Sequence, residues 1–292
     1  MIRWRELLIA VSLLLPVITK ADEQKSLSKE SLFAWSASAT MTSNYIWRGL
    51  YCGGPSLQLD ATVSYAGVYA NLWWNVGATD WTFSALNPEV DVVIGFSKWG
   101  LNINYLHCFY FDKYADGSPT RFFDFRNHPR GGGGTTGERR VSYRVSDRIP
   151  LSVLVACRTF SRDGYYVSLS DGKYVDVTSE TDLSTVTLKR AYSTYIELGY
   201  DFNLGEDWLL AARAGFTPAK SLYTGFKGDF AVTLIGLKLS KQWNYEHFSV
   251  NAFANVMLQP WNVEADNLIR PIADAGSQKL NFAVGCSVGL GK

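Results

Sequence analysis

The chain has 292 residues, a formal net charge of +1 at neutral pH and an aromatic content of 14%, including ten tryptophans. A near-neutral charge argues against a nucleic-acid-binding protein, because such proteins concentrate positive charge to meet phosphate groups. Beyond the amino terminus no apolar run approaches the roughly 20 residues of a membrane-spanning helix, so the sequence predicts none.

The first 21 residues have the order of features that an export signal requires. Arg3 and Arg5 precede an apolar stretch over residues 7–18, and the small residue Ala21 follows it. That stretch is too short to span a bilayer as a helix. We therefore predict a cleaved signal peptide over residues 1–21 and a single exported domain over residues 22–292.

From Phe33 onward apolar and polar residues alternate with a period of two, which is typical of β-strands with different surroundings on their two faces. In the first run Phe33 and Trp35 alternate with Ser36 and Ser38. A change of parity near Leu234 predicts a β-bulge. About twelve such runs follow one another, over residues 33–41, 57–65, 68–76, 90–96, 101–109, 141–145, 151–159, 192–202, 208–216, 230–239, 248–258 and 280–290.

Charged residues avoid the apolar face of the clear strands. A charge that met lipid would cost about 2 to 4 kcal/mol at the bilayer midplane, so a lipid-facing surface requires this exclusion. A soluble sandwich core would exclude charge as well. The residues of opposite parity are Asp60, Glu89, Asp91, Glu197, Asp201, Arg213 and Lys279.

The lengths of the connections distinguish a barrel from a sandwich. Six long loops, over residues 43–55, 78–88, 113–138, 161–190, 218–228 and 259–277, alternate with shorter connections over 66–67, 97–100, 146–150, 203–207 and 240–246. Short turns at one end and long loops at the other are typical of outer-membrane barrels. Aromatic residues flank the short turns on the apolar parity, where an interfacial girdle lies: Tyr65, Phe96, Trp99, Tyr200, Phe202 and Trp208.

These patterns predict an all-β fold, a transmembrane antiparallel up-and-down β-barrel of about twelve strands with long extracellular loops. With an even number of strands both termini lie in the periplasm. We expect the protein in the outer membrane of a Gram-negative-type bacterium, in contact with outer-membrane lipid and lipopolysaccharide. The barrel-assembly machinery is an expected partner, and no cofactor is expected.

The segment TSNYIWRG, residues 42–49, lies where the first strand leaves the membrane on its long-loop side. Tyr45 and Trp47 suit a membrane interface, while Asn44 and Gly49 permit a turn. Arg48 can reach anionic head groups or fold over the barrel mouth as a pore or ligand contact. We favour the interfacial anchor, because arginine side chains extend readily to interfaces.

This motif, together with PSLQLDATVSY over residues 55–65, GVYA over 67–70, WWN over 73–75 and EVD over 89–91, resembles the TorF-like porins, a family of largely uncharacterised β-barrel proteins. The resemblance covers mainly residues 30–110. It implies an outer-membrane barrel with a solute-transport role and carries over no catalytic residues. The chain departs from this family pattern in its enlarged third and fourth loops. Its last residues, 290–292, also lack the terminal aromatic residue common in outer-membrane barrels, and Phe282 is the nearest aromatic residue on the apolar face.

Several motifs carry weak chemical signals. RGGGGTTG, residues 130–137, lacks the lysine and hydroxyl ending of a phosphate-binding loop and is interpreted as a loop tip. An Asp-Gly pair at 171–172 predicts a hairpin inside the fourth long loop. No histidine has a partner at metal-ligand spacing, and we predict no metal site. His107, on the apolar parity near the long-loop end, is where a lipid-modifying barrel enzyme would place a base.

Four cysteines in an exported chain can form disulfides, but three of them lie within strand-like runs. We interpret them as small apolar residues and leave open a Cys52–Cys108 bridge.

Function is expected in the lumen. Twelve strands enclose a space between that of a filled eight-stranded barrel and that of an open sixteen-stranded one. Charges of both signs either line a polar passage or pair and fill it, and four inward aromatic residues narrow it: Tyr69, Trp73, Tyr195 and Phe253. The candidate lining residues are Asp60, Asp91, Arg144, Arg158, Glu197 and Arg213.

The function we expect is passive or weakly selective passage of small hydrophilic solutes, without enzymatic activity. The alternative is a non-conducting barrel that anchors loops for binding a ligand or partner. A lipid-modifying enzyme centred on His107 is the third hypothesis.

Overall fold

The computed structural model describes residues 32–79, 82–113, 117–126, 134–160, 163–175, 177, 181–226, 228–261 and 279–291. The predicted signal peptide lies outside these residues. The compact unit that contains the strands is Phe33–Lys292. Within the described ranges, no helix is both long enough and apolar enough to cross a membrane.

Twelve strands form one closed antiparallel barrel, in which each strand pairs with its neighbours along the chain and the last pairs with the first. The predicted fold class and strand number are therefore confirmed. The barrel strands are β1 (Phe33–Thr42), β4 (Ser56–Tyr65), β5 (Val68–Thr79), β6 (Thr82–Lys98), β7 (Leu101–Tyr110), β8 (Thr135–Arg144), β9 (Leu151–Phe160), β13 (Thr194–Gly205), β14 (Trp208–Thr217), β15 (Ala231–Asn244), β16 (Ser249–Leu258) and β17 (Leu280–Gly291).

The remaining strands belong to the long loops. In the first loop β2 (Tyr45–Trp47) and β3 (Leu50–Gly53) form a hairpin. The fourth loop contains a small sheet in the order β11 (Tyr174–Val175), β10 (Gly164–Ser168), β12 (Val186–Arg190). The β10–β11 pairing confirms the hairpin predicted around Asp171-Gly172. Among the described loop residues, Leu183–Thr185 and Leu222–Thr224 form short 3₁₀ helices.

The alternation of residues along each strand produces an apolar exterior and a polar lumen. On β5 the outward side chains Leu72 and Trp74 are exposed on the barrel wall, whereas the inward Asn75 is buried. The outward residues Ile94 on β6 and Val284 on β17 are likewise exposed. An apolar exterior around a polar interior is the reverse of a soluble protein, and it is the arrangement that lipid as a solvent requires.

The short turns confirm the predicted difference between the two ends of the barrel. Ala66-Gly67 and Trp99-Gly100 join their strands with positive φ at both residues, between 52° and 94°. Two-residue turns of this kind match the right-handed twist of the flanking strands. Exposed aromatic residues such as Tyr65 and Trp99 surround this short-turn end, as expected for a girdle.

Two predicted loops are shorter in the structure. Residues 78–88 are mostly strand, since β5 continues to Thr79 and β6 begins at Thr82, with register shifts after Asn75 and Gly77. In the third loop β8 begins at Thr135 instead of near Val141. Thr135 and Gly137 on its outward face are buried, because residues 121–126 fold against the outside of the barrel there. Protein replaces lipid at this position, and the apolar alternation that identifies a strand is lost.

Two further register shifts bear on the predicted strands. The register between β14 and β15 shifts between Gly215 and Phe216, opposite residues 232–234, which confirms the predicted bulge near Leu234. A second shift between β8 and β9 lies at Gly137/Glu138. It moves the Phe160 ring to the outer face, where it packs against His107 and Phe125.

A charge placed on the outer face at mid-height tests the orientation of the barrel. Leu72→Arg is expected to lower the free energy of unfolding by about 2 to 4 kcal/mol, the cost of an arginine at the bilayer midplane. Unfolding by denaturant in lipid vesicles measures this change. Ser38→Arg is the control, because Ser38 lies at a similar height on the lumen face and pairs in register with Asp60. Equal losses for the two variants would contradict the assignment of faces.

Candidate functional site in the barrel mouth

The TSNYIWRG motif folds into the barrel at its long-loop end. Trp47 pairs with Leu50 across a two-residue turn, in which Arg48 has φ of 51° and Gly49 has φ of 85°. A Cβ atom on Gly49 would lie 2.8 Å from the Thr233 carbonyl oxygen, so only glycine fits there. The Asn281 side chain donates a hydrogen bond of 3.0 Å to the Gly49 oxygen and holds the turn against the wall.

Arg48 reaches across the lumen to the opposite strands. Its two terminal nitrogens donate to both carboxylate oxygens of Glu138, at 2.8 and 2.7 Å, and one of them also donates to the Tyr223 hydroxyl at 2.5 Å. The guanidinium carbon lies 4.5 Å from the Trp47 ring centroid and 4.4 Å from that of Tyr195. We call Trp47, Arg48, Glu138, Tyr195 and Tyr223 the mouth cluster.

Charge in the mouth cluster is dense and buried. The Arg48 and Glu138 side chains are 7% and 3% exposed. Arg140 donates to the same carboxylate at 2.5 Å, and Arg158 lies over the Trp47 ring at 5.3 Å. The buried Nε of Arg158 has no hydrogen-bond partner in the described part of the chain. Glu138 is therefore the anion that the buried Arg48 and the partly buried Arg140 share.

Burial and mutual contact shift the pKa values of Arg48 and Tyr223. Burial alone lowers the pKa of Arg48, but Tyr223 and Glu138 together raise that pKa above the usual value for arginine. Burial raises the pKa of Tyr223 to about 12, although Arg48 opposes the shift. Arg48 therefore stays charged and Tyr223 stays neutral over the physiological range, and the contact is not a pH switch.

An apolar core covers the mouth cluster on its long-loop side. Leu50 from the first loop and Leu222 and Phe226 from the fifth are each less than 5% exposed. They form one buried cluster with Ala156 and with the tyrosines of the mouth cluster, and Tyr165 of the fourth loop packs against it. Described residues of three loops thus pack together over the mouth cluster.

These contacts correct the interfacial-anchor interpretation of the motif. Tyr45 donates from its hydroxyl to the Glu89 carboxylate at 3.0 Å, and its ring lies 5.5 Å from the inward Trp73. Trp47 stacks on Tyr223 with centroids 5.7 Å apart. Asn44 donates to the Phe282 carbonyl oxygen at 2.6 Å. The motif lies inside the barrel because Glu138, in a segment we predicted as loop, provides a buried counter-charge.

A second ionic network lies nearer the short-turn end. Asp201 accepts from Arg144 at 2.7 Å and from Arg213 at 2.6 Å, while Glu197 lies 3.8 Å from Arg213 and accepts from the Tyr195 hydroxyl at 2.6 Å. We call Arg144, Glu197, Asp201 and Arg213 the lower network. Three of its members, Arg144, Glu197 and Arg213, were predicted to line the lumen, and Asp201 was not. The Tyr195 hydroxyl connects the lower network to the mouth cluster.

Solvent access differs between the two networks. The side chains of Arg144 and Arg213 are 42% and 30% exposed, whereas Arg158 in the upper lumen is 5% exposed. A cavity of about 390 Å³, lined by Ser36, Ser38, Ser249 and the turn that follows β15, lies at the short-turn end. Among the described residues, the lumen side chains are therefore open to solvent near the short-turn end and buried near the long-loop end.

The other predicted lining residues are not in either network. Asp60 accepts from the Asn71 amide at 2.9 Å, as part of a local wall contact. Asp91 lies higher, directly opposite Cys108 in the β6–β7 pair. Lys238, which we did not predict, also points inward and lies 4.3 Å from the Phe253 ring centroid. Lys238 was missed because it follows the β15 bulge, where inward and outward positions exchange parity along the strand.

His107 lies on the outer face, as predicted, but under the third loop. Its Nε2 atom is 2.9 Å from the Phe122 carbonyl oxygen, and the Phe122, Phe125 and Phe160 rings surround it. Within the described residues no serine or threonine hydroxyl bonds to this ring. The described surroundings of the ring are those of an aromatic packing site. All four cysteines, including Cys52 and Cys108, are free.

Comparison with known proteins shows no family for this chain. No protein-family model and no curated protein matches the chain. Among solved structures it is similar to the KdgM porin (10% identity, TM-score 0.40, covering 87% of this chain and 97% of that one) and to the NanC porin (9%, 0.41, 88% and 98%). It is also similar to the toluene transporter TodX of Pseudomonas putida, at 8% identity and a TM-score of 0.39, over 90% of this chain and 90% of that one. At identities and TM-scores this low, the barrel assignment rests on the strand pairing of the chain itself.

Removing the carboxylate of Glu138 tests whether the mouth cluster depends on it. Glu138→Gln leaves the buried Arg48 and its neighbour Arg140 without their shared anion. We therefore expect a loss of about 3 to 5 kcal/mol in the free energy of unfolding. Glu197→Gln is the matched control in the lower network. It should cost less, because Arg213 keeps its contact with Asp201 and remains partly solvated. Similar stability for the two variants would contradict the central role of Glu138.

Proposed function

We propose that the protein is an outer-membrane channel for small hydrophilic solutes that rests closed at its long-loop end, with Arg48 as the residue that holds it closed. The single observation behind this proposal is the contrast along the lumen. The lower network is reached by water from the short-turn end, and the mouth cluster is sealed. A charged, wetted wall that ends at a closed mouth suits a channel with a movable closure.

The source of the closing charge supports a movable closure. Glu138, Arg140 and Arg158 belong to barrel strands, whereas Arg48 belongs to a loop hairpin. Displacing that hairpin would carry Arg48 away from Glu138 without breaking any pairing in the barrel wall. Gly53 and Gly54, at the carboxyl end of the hairpin, provide the backbone freedom that such a displacement needs.

The same proposal includes the cellular context expected from the sequence. The chain would be exported through the signal peptide and inserted into the outer membrane, with its long loops outside and its outer face against lipid and lipopolysaccharide. The resemblance of residues 42–91 to the TorF-like porins supports this context. We propose no enzymatic activity, because His107 is packed among aromatic rings.

A second candidate function rests on the apolar core of the mouth. Leu50, Leu222 and Phe226 are buried as in a stable domain, and such packing favours a non-conducting barrel that presents its loops to a ligand or partner. The two candidates predict different results for the removal of Arg48. A channel opens, and an anchor stays closed or loses loop structure.

Single-channel recording in a planar bilayer distinguishes the two candidates. The parent protein should be closed for most of the time. Arg48→Ala should raise the open probability at least about tenfold. This change corresponds to a contribution of about 1.4 kcal/mol from the Arg48 contact to the closed state. Arg48→Lys should give a smaller increase, since lysine cannot form the bidentate contact. Arg126→Ala removes an ion pair with an exposed arginine outside the lumen and should change nothing.

The lower network provides the test of ion passage. In the Arg48→Ala background, Arg213→Gln removes a positive charge from the wetted wall and should shift the ion selectivity toward cations. Folded Arg48 variants that never conduct would favour the non-conducting anchor. A parent that is already open would overturn the closing role of Arg48.

A further inference from the structure

One cluster in the lumen is outside both networks. Asp91 on β6 and Cys108 on β7 are direct partners in the antiparallel register, and Glu89 precedes Asp91 by two residues on the same face. The potential ligand atoms of these three side chains all lie within 4.8 Å of one another. Cys108 is 5% exposed and Glu89 is 7% exposed. A thiol and two carboxylates therefore converge on one small volume.

The Asp91 side chain provides an independent sign that a ligand belongs there. Its Oδ1 atom is buried and receives no hydrogen bond from the described residues. A buried carboxylate oxygen without a donor is costly, and a second carboxylate at short range adds like-charge repulsion. A bound cation would satisfy this oxygen and offset the repulsion between Asp91 and Glu89.

We propose that Glu89, Asp91 and Cys108 form a binding site for a thiophilic divalent cation such as Zn²⁺. Carboxylate oxygens and a thiolate are ligands of Zn²⁺, whereas Mg²⁺ and Ca²⁺ bind oxygen alone. Three protein ligands leave a coordination position for water or a passing solute. As the metal–sulfur bond forms, the Cys108 thiol releases its proton to water.

The surroundings are suited to such a site. All three residues lie on paired strands of the barrel wall, which fix their spacing more firmly than a loop would. Tyr45 donates to Glu89 Oε2 at 3.0 Å and orients that carboxylate, as groups around a metal site commonly do. Asp91 is only partly buried, so its exposed side offers the ion an approach from the lumen. This inference does not rest on the proposed solute transport.

Cadmium titration of the purified full-length protein in detergent tests the site. Cys52, Cys157 and Cys286 are first replaced by serine, so that Cys108 is the remaining thiol. Adding Cd²⁺ should give an ultraviolet thiolate-to-metal charge-transfer band that saturates at one ion per chain. Zn²⁺ should abolish the band by competition, and Mg²⁺ should not. A folded protein that gives no band overturns the proposal.

Variants of the cluster complete the test. Cys108→Ser should remove the band, and Asp91→Asn and Glu89→Gln should each weaken Cd²⁺ binding by more than about tenfold, because even groups outside the ligand set contribute that much. Asp60→Asn is the control, a lumen carboxylate with its own amide partner, and should bind as the parent does. A band that survives Cys108→Ser, or equal losses for Asp60→Asn and Asp91→Asn, overturns the site.

Folding of each variant is checked by circular dichroism before titration. If Asp91→Asn does not fold, the Cd²⁺ titration of the protein that keeps only the Cys108 thiol still tests the metal site. Cys108→Ala in the same background is its negative control. These readouts are independent of conductance. A silent bilayer therefore leaves the metal site intact, and a missing band leaves the channel proposal intact.

Discussion

The closure of the strands into a ring is the constraint on which the rest of the structure depends. In a lipid bilayer no water is present to satisfy main-chain hydrogen-bonding groups, so a sheet that spans it cannot have a free edge. The pairing of β1 with β17 removes that edge, from Ser36 opposite Gly291 to Thr42 opposite Gly285. Once the ring is closed, alternate residues must face lipid or lumen, and the charged side chains are gathered inside.

Gathering charges inside a narrow barrel creates a second problem, which the loops solve. Arginines on neighbouring strands β8 and β9 lie at similar height, and little water reaches them near the long-loop end. Glu138 provides one anion, and the hairpin that carries Arg48 fills the remaining space with aromatic rings. The described residues of the mouth are thus held together by ion pairing, cation–aromatic contact and apolar packing. Nearer the short-turn end, the Arg213–Asp201 pair remains partly solvated.

Much of the fold could be predicted from the sequence, because a period of two is a local property that needs no knowledge of partners. The number of strands, the bulge of β15 and the short-turn end all follow from it. The start of β8 could not be predicted, since Thr135 and Gly137 face protein instead of lipid. The position of Arg48 was missed for a related reason. An arginine beside aromatic residues suits both a membrane interface and a buried ion pair, and only Glu138, distant in sequence, distinguishes the two.

The folding of the third loop against the outside of the barrel also has a consequence for the surrounding bilayer. On β5 five successive outward residues, from Val68 to Val76, are apolar. Counted on β8 from the short-turn end, the outward residues Tyr143 and Val141 are followed by the exposed, outward Arg139. Beyond Arg139, toward the long-loop end, protein covers the wall. The hydrophobic height of the barrel is therefore unequal around its circumference. Lipid beside β8 must thin, or the barrel must tilt, so that the short side and the Arg139 guanidinium both meet a polar head-group layer.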